Sequence, residues 1–260
     1  MKNLFLILGK KVLAFLSFLG GLSTLASQGF YWLFIPPLRK ERIYEQCKKA
    51  GMDSLPIISL VAFFIGVIMA LQTAYQMQRL GAEMYIASIV ALSIVRELGP
   101  VITALVVAGR VGASIAAEVG SMQVTEQIDA LQTLATNPIK YLVVPRLLAL
   151  VIMLPILTLY ANIIGIFGGY LICVYKLGVS AGMYRYITFS ALLYKDLFTG
   201  LFKAVFFGMI IAFVSCYEGF NVEGGAEGVG KATARAVVTM FIMIIACDCF
   251  FTALFYFIFP

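Results

Sequence analysis

The sequence has no histidine, a single tryptophan and little charge: 12% of its 260 residues are Asp, Glu, Lys or Arg, against 62% that are hydrophobic. The missing imidazole excludes histidine general bases, histidine-ligated metals and histidine proton relays together. The shortage of charge, with a mean hydropathy of +0.99, excludes a soluble enzyme, a disordered tail and a secreted disulfide scaffold, because soluble domains carry about 25% charged residues. The five cysteines, Cys47, Cys173, Cys216, Cys247 and Cys249, match no CxxC metal spacing and read as ordinary thiols. No small-residue cleavage site follows the apolar start, so no removable signal peptide is read. What remains is a polytopic α-helical membrane protein whose loops are too short to bury a core of their own.

Five apolar runs are long enough to cross a bilayer. They are Leu55 to about Gln72, Met84 to about Ala108, Leu147 to Val174, Leu197 to about Ser215, and Val237 to Phe259. The expected architecture is all-α and a single domain over 1–260. Residues 12–35 also lack charge, but Ser17, Gly20, Thr24, Ser27 and Gln28 recur three or four apart and share one helical face. That pattern favours a helix lying in the interface over a further span. Pro36-Pro37 ends it, and the basic run Leu38 to Lys49 reads as a second, cytosol-side helix.

The net charge of +6 is local. Arg39, Lys40, Arg42, Lys48 and Lys49 crowd the segment before span one, as cytosolic juxtamembrane clusters do. No stacking aromatics are interleaved among them, which argues against nucleic acid. With the N-terminus in the cytosol, the inside segments hold 13 Lys and Arg and the outside segments hold four, Arg79, Lys176, Arg185 and Lys195. This asymmetry predicts N-terminus inside, C-terminus outside.

Span two carries the most informative stretch, LSIVRELGP, Leu92 to Pro100. Each ionised group at a helix centre costs roughly 2.5–3.5 kcal/mol, so Arg96 and Glu97 mark a functional position. Sequence neighbours on a helix do not face one another, and each therefore needs a further partner or a polar cavity. Pro100 frees the Arg96 carbonyl, which predicts a kink beside the two charges. The alternative is an internal ion pair that only fixes packing. Ala108, Gly112, Ala116 and Gly120, and likewise Gly165 and Gly169, read as close-packing faces. A short amphipathic helix is expected over Gln123 to Leu131, capped by Thr125 or Ser121 and ended by Asn137-Pro138. Gly225 to Thr233 nearly spells a phosphate-binding loop, but alanine follows the lysine where a hydroxyl is needed. It reads instead as a flexible Gly-rich loop. Lys203 is expected to snorkel from span four, and Asp248 in span five needs a donor that the spacing does not name.

Leu92 to Arg146, with the block RELGP…AGR.G…AE.G.M..TEQ, closely resembles the MlaE (YrbE) permease family. The likeness continues through Leu154-Pro155, Asp196, Lys203, Gly230 to Arg235 and Asp248. The resemblance implies the permease subunit of an ATP-driven transporter in the bacterial inner membrane, moving phospholipid between inner and outer membranes. It implies a homodimer, a cytosolic ATPase dimer that binds ATP and magnesium in place of this chain, a periplasm-facing MCE-domain ring and a small STAS-domain protein. By the same resemblance Arg96, Glu97 and Leu98, with Met69, Met77 and Leu80, line the lipid pocket. Thr125, Glu126, Gln127 and Asp129 belong to the helix that meets the ATPase. Two other classes remain open on the residues alone, an ion-coupled carrier using Arg96, Glu97 and Asp248, and an assembly scaffold without a cavity.

Overall fold

The computed structural model describes residues 2–37 and 39–258. Met1, Leu38 (expected to open the basic helix) and Phe259 (expected to end span five) lie outside the described residues. Among the described residues all regular structure is helical. Helix α1 (Lys2–Leu33) is followed by α2 (Lys40–Ala50) and α3 (Leu55–Arg79). Span two is built from α4 (Ile86–Ser93), α5 (Gly99–Val107) and α6 (Ala113–Val124), joined by π turns at Ile94–Leu98 and Ala108–Gly112. Then come α7 (Gln127–Thr133), α8 (Val144–Tyr175), α9 (Ala181–Ala191), α10 (Tyr194–Phe220) and α11 (Gly225–Ile258).

Five helical runs are long and apolar enough to cross a membrane. The chain is therefore a multi-pass membrane protein, and the five expected spans are all present. Their ends differ from expectation. Span one continues to Arg79, and span two runs on to Val124 instead of stopping near Ala108. The reason is the small-residue face, where Ala108 and Ala116 are buried. A Cβ on Gly112 would meet the Met240 side chain, and one on Gly120 would meet Val222. This close packing of α6 on α10 and α11 carries the helix past Arg110. Arg110 itself turns outward to Ser54 Oγ at 2.8 Å and Asp53 at 3.7 Å. At the start of span three, Asn137 Oδ1 accepts the backbone N–H groups of Ile139 and Lys140. Asn137 thus opens the third span, whereas α7 has already ended at Thr133.

The centre of the bundle is α8 and α10, with α3 laid along α8 and α6 along α10. Backbones approach closely where glycines allow it. A Cβ on Gly66 would collide with the Gly165 carbonyl, and one on Gly208 would press on the Leu150 carbonyl. The second half of α1 crosses α10. Leu22 and Leu25 are buried, Gly21 faces the Tyr217 ring and Gly29 faces Phe213. Helix α9 is an element the spacing did not announce. It buries Tyr184 and Thr188 and leaves Tyr186 and Phe189 exposed, the aromatic habit of a helix at a membrane surface. Spans alternate in direction, so α7 and α9 sit at opposite ends of the bundle.

Gly66→Ala is expected to cost about 1–3 kcal/mol through overpacking against α8. It should lower the thermal midpoint of the detergent-solubilised chain. Gly20→Ala, where nothing lies within 4 Å of the added carbon, should leave that midpoint unchanged or raise it.

Candidate functional site

The π turn Ile94–Leu98 presents Arg96 and Glu97 to α10 from opposite sides of one residue pair. Arg96 Nε lies 3.6 Å from Asp196 Oδ1 in the first turn of α10. Asp196 also accepts the Leu193 backbone N–H at 3.0 Å, so it caps its own helix while holding the guanidinium. Glu97 meets Lys203, two turns further along α10, with Nζ to Oε2 at 2.5 Å. The i to i+7 spacing of Asp196 and Lys203 puts both on one helical face. Each intramembrane charge thereby has a partner of opposite sign.

Lys203 does not snorkel. It is 1% exposed and lies more than two turns inside α10. An ammonium has three protons to donate. Lys203 gives them to Glu97 Oε2, to Thr252 Oγ1 at 2.7 Å and to the Arg96 carbonyl at 3.4 Å. The last is the carbonyl that Pro100 leaves free. Asp248 of α11 stands 2.9 Å from the same Nζ as a charge contact without a directed hydrogen bond. Lys203 gives Asp248 a counter-charge, while the hydrogen-bond donor it was expected to need is not found for its Oδ1 among the described residues. The Thr252 hydroxyl is also 3.2 Å from both oxygens of Glu97. The cluster is open on one side: the side chains of Arg96 and Glu97 are 47% and 38% exposed.

The other residues expected at the pocket fall on two surfaces. Leu98, Met69 and Met77 pack together against the cluster of Ile94, Ala70, Ala74 and Val90. Leu80 stands apart, 72% exposed just past the end of α3. Beside Leu98, between α3, α5 and α8, a small hollow of about 20 Å³ is lined by Ile58, Ile94, Gly99 and Thr103. It has room for one water, far below the roughly 300 Å³ at which ligand pockets begin.

At one end of the bundle, α7 hangs from α6 by a left-handed residue, Glu126 at φ 57°. The expected cap is replaced. Thr125 Oγ1 donates back to the Ser121 carbonyl at 2.8 Å, and no side chain caps α7. Ile128 is 4% exposed in the core and Leu131 packs on it. Thr125, Glu126, Gln127 and Asp129 all face outward. Gly225 to Thr233 is not a loop but the first turns of α11, tied by Lys231 to Glu227 at 2.6 Å. From Val229 onward the helical N–H groups bond within the helix, so the segment does not form the loop that cradles a phosphate.

The profile of the family described as "Permease MlaE" matches residues 43–254. The chain belongs to the MlaE permease family. A probable ABC transporter permease protein of Rickettsia felis is 46% identical over 248 residues, covering 95% of this chain and 96% of that protein. A probable ABC transporter permease protein of Synechocystis is 40% identical over 228 residues, covering 87% and 86%. The intermembrane phospholipid transport system permease protein MlaE of Haemophilus influenzae is 36% identical over 222 residues, covering 84% and 85%. The protein is thus an ABC transporter permease, a class that works with a partner ATPase.

Within this permease, Lys203 is the residue that spacing alone underrated. The available signal was a lone cation in one apolar run and a lone carboxylate, Asp248, in another. Lys203→Met leaves Glu97 and Asp248 without their cation and is expected to cost about 3 kcal/mol, near the low end for a broken buried pair because Glu97 is half open. Adding Glu97→Gln and Asp248→Asn should restore most of the lost thermal midpoint. A triple variant no more stable than Lys203→Met would show that the charges are not what holds these spans.

Proposed function

We propose that this permease carries phospholipid through a hollow formed between two copies of the chain. The observation that carries this reading is the half-open pair Arg96 and Glu97 at the middle of span two. Charges at that depth are tolerated only against protein or a water-filled cavity. The space beside Leu98, about 20 Å³, is too small to be that cavity, and the hollow of about 410 Å³ beside Val95 is walled mainly by apolar and aromatic side chains, which supports a second surface completing the cavity. Helix α11 supplies the face. Only 17% of its apolar window is buried within the chain, against 61% for the third span. Its exposed residues Val238, Ile242, Ile245, Cys249, Thr252 and Tyr256 follow a heptad stripe. Thr252, bonded to Glu97, lies on that stripe and brings the cluster to the joint.

The phospholipid transport named for the Haemophilus relative supports lipid as the cargo. Arg96 then meets the phosphate or fixes the wall, and Leu98, Met69 and Met77 offer apolar surface to acyl chains. ATP is hydrolysed by a partner ATPase dimer that bears on the exposed acidic side of α7, so this chain needs no nucleotide site. The charge asymmetry supports the bacterial inner membrane with α7 and the N-terminus in the cytosol, and a periplasmic MCE ring at the α9 end. Lys203 already binds both Glu97 and Asp248, which favours a structural wall over an ion-coupled relay.

The test uses the full chain with the subunits that copurify with it, reconstituted in vesicles holding fluorescent phospholipid. Arg96→Ala with Glu97→Ala should abolish ATP-dependent lipid movement while leaving the assembled complex intact. Wild-type movement in that variant would overturn the reading. Glu126→Lys with Asp129→Lys should weaken ATPase association by about tenfold or more, equivalent to 1.4 kcal/mol, measured as ATPase retained on the immobilised permease.

A further inference from the structure

The end of the bundle that bears α7 holds a second built site, separate from the span two cluster. The end of α1, the start of α2, the segment after α7 and the opening of span three enclose a hollow of about 300 Å³. Three cations converge on it. The Arg42 guanidinium stacks over the Tyr141 ring at 3.6 Å from its centroid and donates to the Tyr141 hydroxyl. Arg39 lies 5.1 Å from the same centroid. Lys140 Nζ sits 5.3 Å from the Trp32 ring and donates to the Pro36 carbonyl at 3.2 Å.

None of the three meets a carboxylate within 4 Å among the described residues. Glu41, in the first turn of α2, is exposed and forms no ion pair with them. Glu45 on α2 pairs with Lys49 at 3.3 Å. Asp129 lines a different hollow on the far side of Ala135 to Asn137. The structure therefore gathers three positive charges around aromatic walls, none of them in an ion pair among the described residues. Trp32 and Tyr141 are the residue types that settle at headgroup depth. Basic pockets between membrane helices at such an end accept anionic headgroups.

We propose that this hollow binds the phosphate of an anionic lipid. Arg39 and Arg42 supply planar donors suited to phosphate oxygens. Lys140 adds a point charge from the opposite wall. The apolar rim, Ile43 and Val144, receives the glycerol end. A headgroup there bridges α1, α2 and the connection between α7 and span three, which share few other polar contacts. The proposal is independent of what the central hollow carries.

Trp32 is the only tryptophan in the chain and reports on the site directly. The full chain is reconstituted in phosphatidylcholine vesicles containing either brominated phosphatidylglycerol or brominated phosphatidylcholine, and quenching of Trp32 is compared at equal bromine. Phosphatidylglycerol should be enriched at Trp32 by at least about fivefold, the factor that one surface cation contributes. Arg39→Gln with Lys140→Gln, which leaves the Arg42 stack in place, should abolish the preference. Lys48→Gln with Lys49→Gln, on the same helix but away from the hollow, should preserve it. Equal quenching by the two lipids, or loss of the preference in the Lys48 and Lys49 variant, would overturn the proposal. In phosphatidylcholine vesicles, inorganic phosphate that shifts Trp32 emission in wild type but not in the Arg39 and Lys140 variant supports the site. If phosphate shifts that emission while the two lipids quench equally, the occupant is a soluble phosphate and not a lipid.

Discussion

The Lys203 ammonium directs its three protons to a carboxylate, a hydroxyl and a backbone carbonyl drawn from span two and α11. A cation at that depth is costly alone. Here it is offset by two carboxylates, and the offset exists only while span two, α10 and α11 stay together. The packing glycines set how near the helices come, but close approach alone leaves them free to slide. The charge cluster removes that freedom. It also carries an excess of one negative charge, since Arg96 and Lys203 face Glu97, Asp196 and Asp248.

The pattern of signs fixes register. On span two a cation precedes an anion by one residue. On α10 an anion precedes a cation by two turns. The π turn spreads Arg96 and Glu97 so that each reaches its own partner, consistent with the habit of such turns to occur at functional positions. Slippage that brought Arg96 toward Lys203 would oppose like charges and leave Asp196 unpaired. This is the role in which buried ion pairs are best attested, the choice of one arrangement over its neighbours.

The spans themselves were legible because apolar length is a one-dimensional signal. Their ends were less so. Arg110 looked like a boundary, yet Gly112 and Gly120 continue the helix against Met240 and Val222, a tertiary reason invisible to hydropathy. Gly225 to Thr233 read as a loop on its glycines, while Gly228 is small because the Glu223 carbonyl lies against it. At the site, Arg96 and Glu97 stood out because charge is rare in hydrocarbon. Their partners did not, because pairing residues 97, 203 and 248 requires knowing which spans touch. The outward acids of α7 were readable from periodicity around Ile128. The left-handed turn at Glu126 that aims them was not, since nothing about glutamate announces a positive φ.

Pro100 and Lys203 belong to one device. A proline in a helix leaves a carbonyl unbonded, and an unbonded carbonyl in hydrocarbon is costly. Lys203 answers it at 3.4 Å, so the break in span two is stabilised from α10. Residue 96 is then held twice by the same helix, its main chain by Lys203 and its side chain by Asp196. The guanidinium keeps an exposed edge while its 3.6 Å charge contact draws it toward Asp196. An arginine drawn to one side in this way already turns its free donors toward the open side, which is the preorganisation that the proposed phosphate contact calls for.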